Sequence, residues 1–306
     1  MNLTFRIRRP ASAPLVLLAS CVTAAFTIQP AFAQEWQDDV NQIIGWEGEK
    51  MPDNVLRFTL TPHLSQQIAG VRVFENLTLD GYAAFHAEGS QALMVAEIVA
   101  QEQDAPRVVD TAKAQGLSVS AVHNHTIREQ PRIIYVHMSG FGDPVQLARS
   151  LKTTIGAARL SLHTDEDQED ADDTAPGLNV GELEGIMQTS SKAVDGVLEF
   201  TFDRPESYTL DGHALPPAMG PESEVHLQSI GEGRAMLVAE IALLPAEVQE
   251  ALQVLHSAGM QTEVSALHNH FTTEEPRLFF LHTVGVGNPA ELARTIHSVI
   301  DKTPQQ

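Results

Sequence analysis

Six of the thirteen histidines stand in a pattern that can do chemistry. His123, His125 and His137 are spaced H-x-H-x11-H, and the spacing returns at His268, His270 and His282. Neutral imidazole is the commonest side-chain ligand for zinc and similar ions. Side chains two apart on a strand leave it on the same face, so each H-x-H pair presents two rings together. If the next strand folds back with residue 121 opposite 137, the third histidine joins that face, diagonal to the first. Three imidazoles converging in this way are the ligand set of a catalytic zinc site that keeps a fourth position open. The plainer alternative is a polar His-Asn-His strip hydrogen-bonded to backbone, with no ion. A single strand histidine is usually of that kind. The same spacing kept in two copies while other residues drifted favours metal.

Glu97 and Glu240 sit in the string Val-Ala-Glu-Ile in both copies. A carboxylate inside an apolar strand needs a partner. It can be a fourth ligand, a group that orients a histidine, a general base, or half of an ion pair with Arg132 or Arg277. Pro131-Arg132 and Pro276-Arg277 open the strand that carries the third histidine, and alternation sets both arginines on its other face. Asn124 and Asn269, between the paired histidines, also point away. Glu129 and Glu275 fall in turns and read as solvated. His63, His86, His163, His213, His226, His256 and His297 have no counterpart in the other copy and read as incidental.

The elements that must position these residues are written twice. Residues 121–155 and 266–300 align without a gap and are identical at 15 of 35 positions. Upstream, ALMVAEI at 92–98 matches AMLVAEI at 235–241, and VLRFTL at 55–60 matches VLEFTF at 197–202. Apolar and β-branched runs predict strands at 55–60, 71–79 and 92–99. A helix follows from Asp104 to Gln115, closed by Gly116. Two strands come next, near 117–125 and 131–139. Asp143-Pro144 and Asn288-Pro289 each open a final helix, an amide or acid cap with proline in the first turn. The expected architecture is α+β: two tandem copies of a mixed or antiparallel sheet, each packed with two helices. The expected domains are 34–160 and 181–306. Between them, residues 161–180 carry seven acids in the ten positions 164–173, which predicts a solvated linker.

Composition removes several function classes. Lys and Arg number 19 against 40 Asp and Glu, a net charge of −21 that opposes nucleic-acid and anionic-lipid partners. Arg6, Arg8 and Arg9 precede an apolar stretch and the small-x-small string Ala31-Phe32-Ala33, so residues 1–33 read as a secretory signal peptide. Leu18-Ala19-Ser20-Cys21 offers a second reading, a lipobox with a lipid anchor on Cys21. Either way the chain is expected outside the cytoplasm, in the periplasm or beyond, with no transmembrane domain once mature. Cys21 is the single cysteine, so metal binding must rest on histidines and carboxylates. No G-x-S-x-G elbow and no phosphate-cradling loop appears.

At ALHNH…EEPRLFFLH and GVGNPAELAR the sequence resembles the LppY/LpqO family of exported bacterial proteins, over most of the chain and in both copies. The resemblance implies a duplicated domain, often with a lipoprotein signal, and brings no established activity. Its motif falls on His123, His125, Pro131, Arg132 and His137, and on His268, His270, Pro276, Arg277 and His282. The first copy has Thr126-Ile127-Arg128 where the second has Phe271-Thr272-Thr273. In spacing alone the histidines are also similar to those of acetolactate decarboxylase and related zinc proteins. That similarity implies a zinc ion that polarises a carbonyl or activates water, hence a hydrolase or lyase acting on a small ester-like or carbonyl substrate. Glu97 or Glu240 would then serve as base. A non-catalytic metal- or ligand-binding protein and a structural envelope protein are the alternatives.

Overall fold

The computed structural model describes residues 32–164, 173–258 and 262–303. Nearly all of the expected leader at 1–33, Cys21 included, and most of the acidic run at 164–173 lie outside these residues. Among the described residues, no helix is long and apolar enough to cross a membrane.

The first copy runs α1 (Phe32–Ile44), β1 (Glu49–Met51), β2 (Val55–Thr59), β3 (Gln66–Ile68), β4 (Val71–Val73), β5 (Tyr82–Glu88), β6 (Gln91–Gln101), α2 (Ala105–Ala114), β7 (Ser118–His123), β8 (Glu129–Gln130), β9 (Ile133–Gly142) and α3 (Pro144–Ala158). The second repeats it: α4 (Val180–Met187), β10 (Lys192–Val194), β11 (Val197–Phe202), β12 (Tyr208–Leu210), β13 (His213–Leu215), β14 (Ser223–Gly231), β15 (Arg234–Leu243), α5 (Val248–Ser257), β16 (Thr262–His268), β17 (Glu274–Glu275), β18 (Phe279–Gly287) and α6 (Pro289–Ile300). Each copy builds a six-stranded antiparallel sheet, ordered β1-β2-β5-β6-β9-β7 and β10-β11-β14-β15-β18-β16. The α+β architecture of two tandem copies is as the sequence predicts, with a third helix added at the start of each.

Strand alternation decides which way each sheet faces. Leu56, Phe58, Phe85, Met94, Ala96, Ile98, Val136 and Met138 pack against the helices of the first copy. Leu198, Phe200, Leu237, Ala239, Ile241 and Leu281 do the same in the second. The residues between them point to the other face, where the two copies meet. One shared cluster sets Val55, Ala84, Leu93 and Val95 against Tyr208, Leu210, Leu215 and Phe280. Another sets Ile68, Val73 and Leu77 against Val197, Met236, Val238 and Val284. The small sheets β4-β3-β8 and β13-β12-β17 are therefore exchanged arms, each lying on the other copy's sheet.

Local signals hold at the last helices. The Asp143 side chain accepts from the Gln146 amide, and Asn288 accepts from Ala290 and Glu291. Asp104 makes no such cap; it pairs with Arg107 at 2.7 Å instead. The strand expected over 71–79 stops at Val73, because the chain turns through a short 3-10 segment at Glu75–Leu77 to seat Leu77 on the second copy. Of the segment read as linker, Leu162 bridges to Pro62 and Ala175 is buried in the second core.

Candidate metal centre

The hairpin register is the one the histidine argument requires. Ala121 pairs with His137 and His123 with Tyr135; in the second copy Ala266 pairs with His282 and His268 with Phe280. On the other flank, Glu97 pairs with His137 and Glu240 with His282. Each carboxylate thus stands beside a histidine on the inner sheet face, by strand register alone.

After His123 and His268 the chain leaves the ladder and leans on the other copy. The Ser120 hydroxyl donates to the His270 carbonyl at 2.6 Å, and the Ser265 hydroxyl donates to the His125 carbonyl. These crossings bring all six rings to one place. The ring centroids of His123 and His268 are 3.6 Å apart, those of His137 and His270 4.0 Å, and those of His125 and His282 4.2 Å. Aromatic platforms fix two of them: His125 lies on Tyr135 at 3.4 Å and His270 on Phe280 at 3.5 Å, each with planes 3° apart.

The ligand atoms come close enough to share an ion, and most of the groups they form mix the two copies. His123 groups with His268 and His282, and also with His137 and His270; His125 groups with Glu240 and His282, and Glu97 with His125 and His137. In each group the ligand atoms lie within 4.8 Å of one another. The expectation of one self-contained triad per copy is corrected here. Both triads are present, but the three-histidine groups they form combine the copies, because the loops after β7 and β16 cross between them.

Several of the spacings suit a metal shell, while His282 Nε2 and His268 Nε2 stand at hydrogen-bond distance, 2.8 Å. His125 Nε2 is 3.0 Å from Glu97 Oε1 and His137 Nε2 is 3.6 Å from Oε2; Glu240 stands 3.4 Å from His270 and 3.2 Å from His282. Ligands bound tetrahedrally at about 2.1 Å lie roughly 3.4 Å apart. Glu97 Oε1 and the Nε2 atoms of His123, His125, His137 and His270 are buried without a hydrogen-bond partner. Buried polar atoms are ordinarily satisfied, so orphans converging on one spot need an explanation, and a cation supplies it. The donor set suits zinc or a similar borderline ion.

Electrostatics point the same way. Burial, reinforced by His268, lowers His123 to about 3, and burial lowers His268 to about 4. The other four imidazoles are held well below their usual value, again chiefly by burial. All six are neutral near pH 7 and offer a lone pair. Burial, then neighbouring carboxylates, pushes Glu97 and Glu240 well above the ordinary carboxyl range. A divalent ion would reverse that shift and let both ionise as ligands.

Glu97, Glu240, His125, His270 and His282 line a cavity of about 380 Å³. Its walls include Arg57, Asp80, Tyr82, Glu199, Glu222, Glu224 and His226. Arg57 donates to the Ala218 carbonyl at 2.8 Å, lies 3.5 Å from Glu222, and sits 4.3 Å from the Tyr82 ring centre. His123 and His268 line a separate, more open groove with Asn269 and Arg277.

Other expectations are settled by position. The arginine alternative for the buried glutamates fails: Arg132 pairs with Glu102 and Arg277 with Glu274. Asn124 and Asn269 donate to the Thr126 and Leu278 carbonyls. Glu129 is not a solvated turn residue; it is buried in β8 and accepts from Thr126 Oγ1 and from the Ile133 amide at 3.3 Å. Its counterpart is the buried Glu274, while Glu275 is exposed. Two histidines read as incidental, His63 and His163, meet at Glu75. His226 lies against Asp80 at 3.5 Å in the cavity wall. No motif marks these meetings, since the partners come from different strands and loops.

A two-copy α+β protein with a histidine-rich centre between its sheets is the class this geometry defines. The chain belongs to the family described as a domain of unknown function, DUF1259, which matches residues 38–157 and 181–302 and so covers both copies. No curated protein matches it. Among solved structures, EtuB from Clostridium kluyveri is 8% identical, over 83% of this chain and 88% of that one, with a TM-score of 0.21. One crystal form of TP0453 is 11% identical, over 74% of this chain and 81% of its own, with a TM-score of 0.19. Likenesses this slight carry no argument.

Proposed function

We propose that this is an exported metal-dependent protein whose two copies jointly hold zinc or a similar divalent ion, facing a substrate cavity. One observation carries the reading: orphaned, neutral imidazole nitrogens, the buried Glu97 and the partly buried Glu240 gather beside a cavity large enough for a small molecule. A bound ion would supply Lewis-acid chemistry toward a carbonyl or ester oxygen, hence hydrolysis or decarboxylation. His123, His125, His137, His268, His270 and His282 are the ligands in this reading. Glu97 and Glu240, each touching two imidazoles, serve as further ligands, and whichever is left outside the shell is the base that takes a proton from water or substrate. Export is supported by the leader-like sequence at 1–33, with a lipid anchor at Cys21 as its variant form.

The number of donors favours one competing reading. Six imidazoles and two carboxylates can saturate an ion with protein ligands alone, as a metal carrier would. Elemental analysis of the purified chain, with melting measured before and after chelation, tests the shared premise. Absent metal and an unchanged melt would overturn both readings. Bound metal with hydrolysis of small esters that is lost in His282→Ala supports the enzyme; bound metal without exchangeable water supports the carrier.

A further inference from the structure

We propose a second divalent-metal site beside the same cavity, formed by His63, Glu75 and His163. The three ligand atoms lie within 4.8 Å of one another, and no ligand of the central site is among them. The backbone sets this up. Pro62 bridges to Leu162, the His63 amide donates to the Ser161 carbonyl at 2.8 Å, and the His163 amide donates to the Thr61 carbonyl at 2.9 Å. Two imidazoles one hundred residues apart in sequence are thereby made neighbours, with ring centroids 3.8 Å apart.

The carboxylate is prepared separately. Glu75 Oε1 accepts from the Leu64 amide at 2.7 Å, which locks the group and leaves Oε2 turned to the rings. Oε2 is 2.6 Å from His163 Nε2 and 4.0 Å from His63 Nδ1. Two imidazoles and one carboxylate are a donor set for zinc, cobalt or nickel rather than calcium or magnesium, and they leave at least one position open. His163 lines the same cavity as Glu97 and Glu240. Asp173 and Glu224 line it too, and their charge raises the local concentration of cations. Among the described residues, the second copy has no equivalent group. Its matching loop carries Arg204, held by Glu206 and Glu247, so the second site belongs to the first copy alone.

The test is a titration of chelator-stripped full-length protein with Zn²⁺, repeated with Co²⁺ for its visible spectrum, against an excess of Mg²⁺. The wild type is expected to take up one equivalent more than His63→Ala, and Glu75→Gln, which keeps an acceptor for Leu64, is expected to weaken that equivalent at least ~10-fold. His137→Ala/His282→Ala should retain that equivalent, so failure of the central site is read independently. The proposal is overturned if His63→Ala and Glu75→Gln, both melting as wild type, bind the same number of equivalents with the same affinities. It is equally overturned if the extra equivalent appears only at millimolar Zn²⁺ or is displaced by Mg²⁺.

Discussion

If the centre is shared, removing one first-copy histidine must weaken metal held by the second. His123 is the sharpest place to ask. Its buried Nε2 belongs to two groups, one completed by His268 and His282, the other by His137 and His270. Four-ligand zinc sites bind with about 10–16 kcal/mol, so one ligand is worth roughly 3 kcal/mol, a ~100-fold change in affinity. At free metal ~1,000 times the dissociation constant, the wild type gains about 4 kcal/mol of stability; a His123→Ala variant binding ~100-fold more weakly gains about 1.4. The difference corresponds to roughly 5–10 °C in melting temperature for a chain of this size. The assay is differential scanning fluorimetry with and without chelator, paired with competitive Zn²⁺ titration. Comparing each protein with its own stripped form cancels the cost of losing the ring contact with His268. Independent single-copy sites give a different result: His123→Ala would keep half the wild-type metal at unchanged affinity. That outcome would refute the shared centre.

Burial, offset by His226 and reinforced by Glu199 and Glu224, pushes Asp80 up to about 7. The folded chain therefore keeps a proton there across pH ~4–7 that the unfolded chain has lost, and stability falls as pH rises through that window. Urea midpoints at pH 4.5 and 7.5 should show a shallower fall in Asp80→Asn; an identical slope would count against the assignment. Phe280 is fully buried under the His270 ring, so Phe280→Ala should cost about 3–5 kcal/mol and weaken metal binding, whereas Phe280→Leu should keep the fold and lose the platform, read by melting and titration together. Ser120→Ala and Ser265→Ala each remove one crossing hydrogen bond, worth about 1 kcal/mol, and should each weaken metal binding ~5-fold; unchanged affinity in the double variant would show that the crossings do not position His125 and His270.

What the sequence made legible was whatever obeys a short period. The capped final helices and the β7–β9 register follow from spacings within about twenty residues, and the duplication from an ungapped match of whole segments. Strand β5, Tyr82–Glu88, has no clean alternation, since Ala83 and Ala84 are both small and His86 and Glu88 end it in polar residues. The crossing of the copies was hidden for a different reason. A period of two fixes which face a histidine leaves, but not what lies opposite that face, and here it is the other copy. His63, Glu75 and His163 were invisible because their meeting depends on a bridge between residues 62 and 162. Buried Glu129 was misjudged because its turn is covered by an arm that pairs with β3.

The copies agree at the histidine cluster and disagree on the cavity walls. At the floor, Glu97 and His137 stand in register as Glu240 and His282 do. On the wall, Tyr82 beside Glu97 is replaced by Glu224 beside Glu240, and Arg57 of β2 by Glu199 of β11. An ion held by both copies ties their floors to one chemistry, because a change on either side loses a ligand. No such constraint acts on the walls, where Arg57 instead reaches the Ala218 carbonyl and Glu222 of the second copy. A symmetric pair of identical chains would be forced to present the same wall twice, arginine with arginine or glutamate with glutamate. Joining the copies in one chain lifts that constraint. Arg57, anchored on the Ala218 carbonyl, lines the cavity together with several carboxylates, so the walls are chemically asymmetric above a nearly symmetric centre.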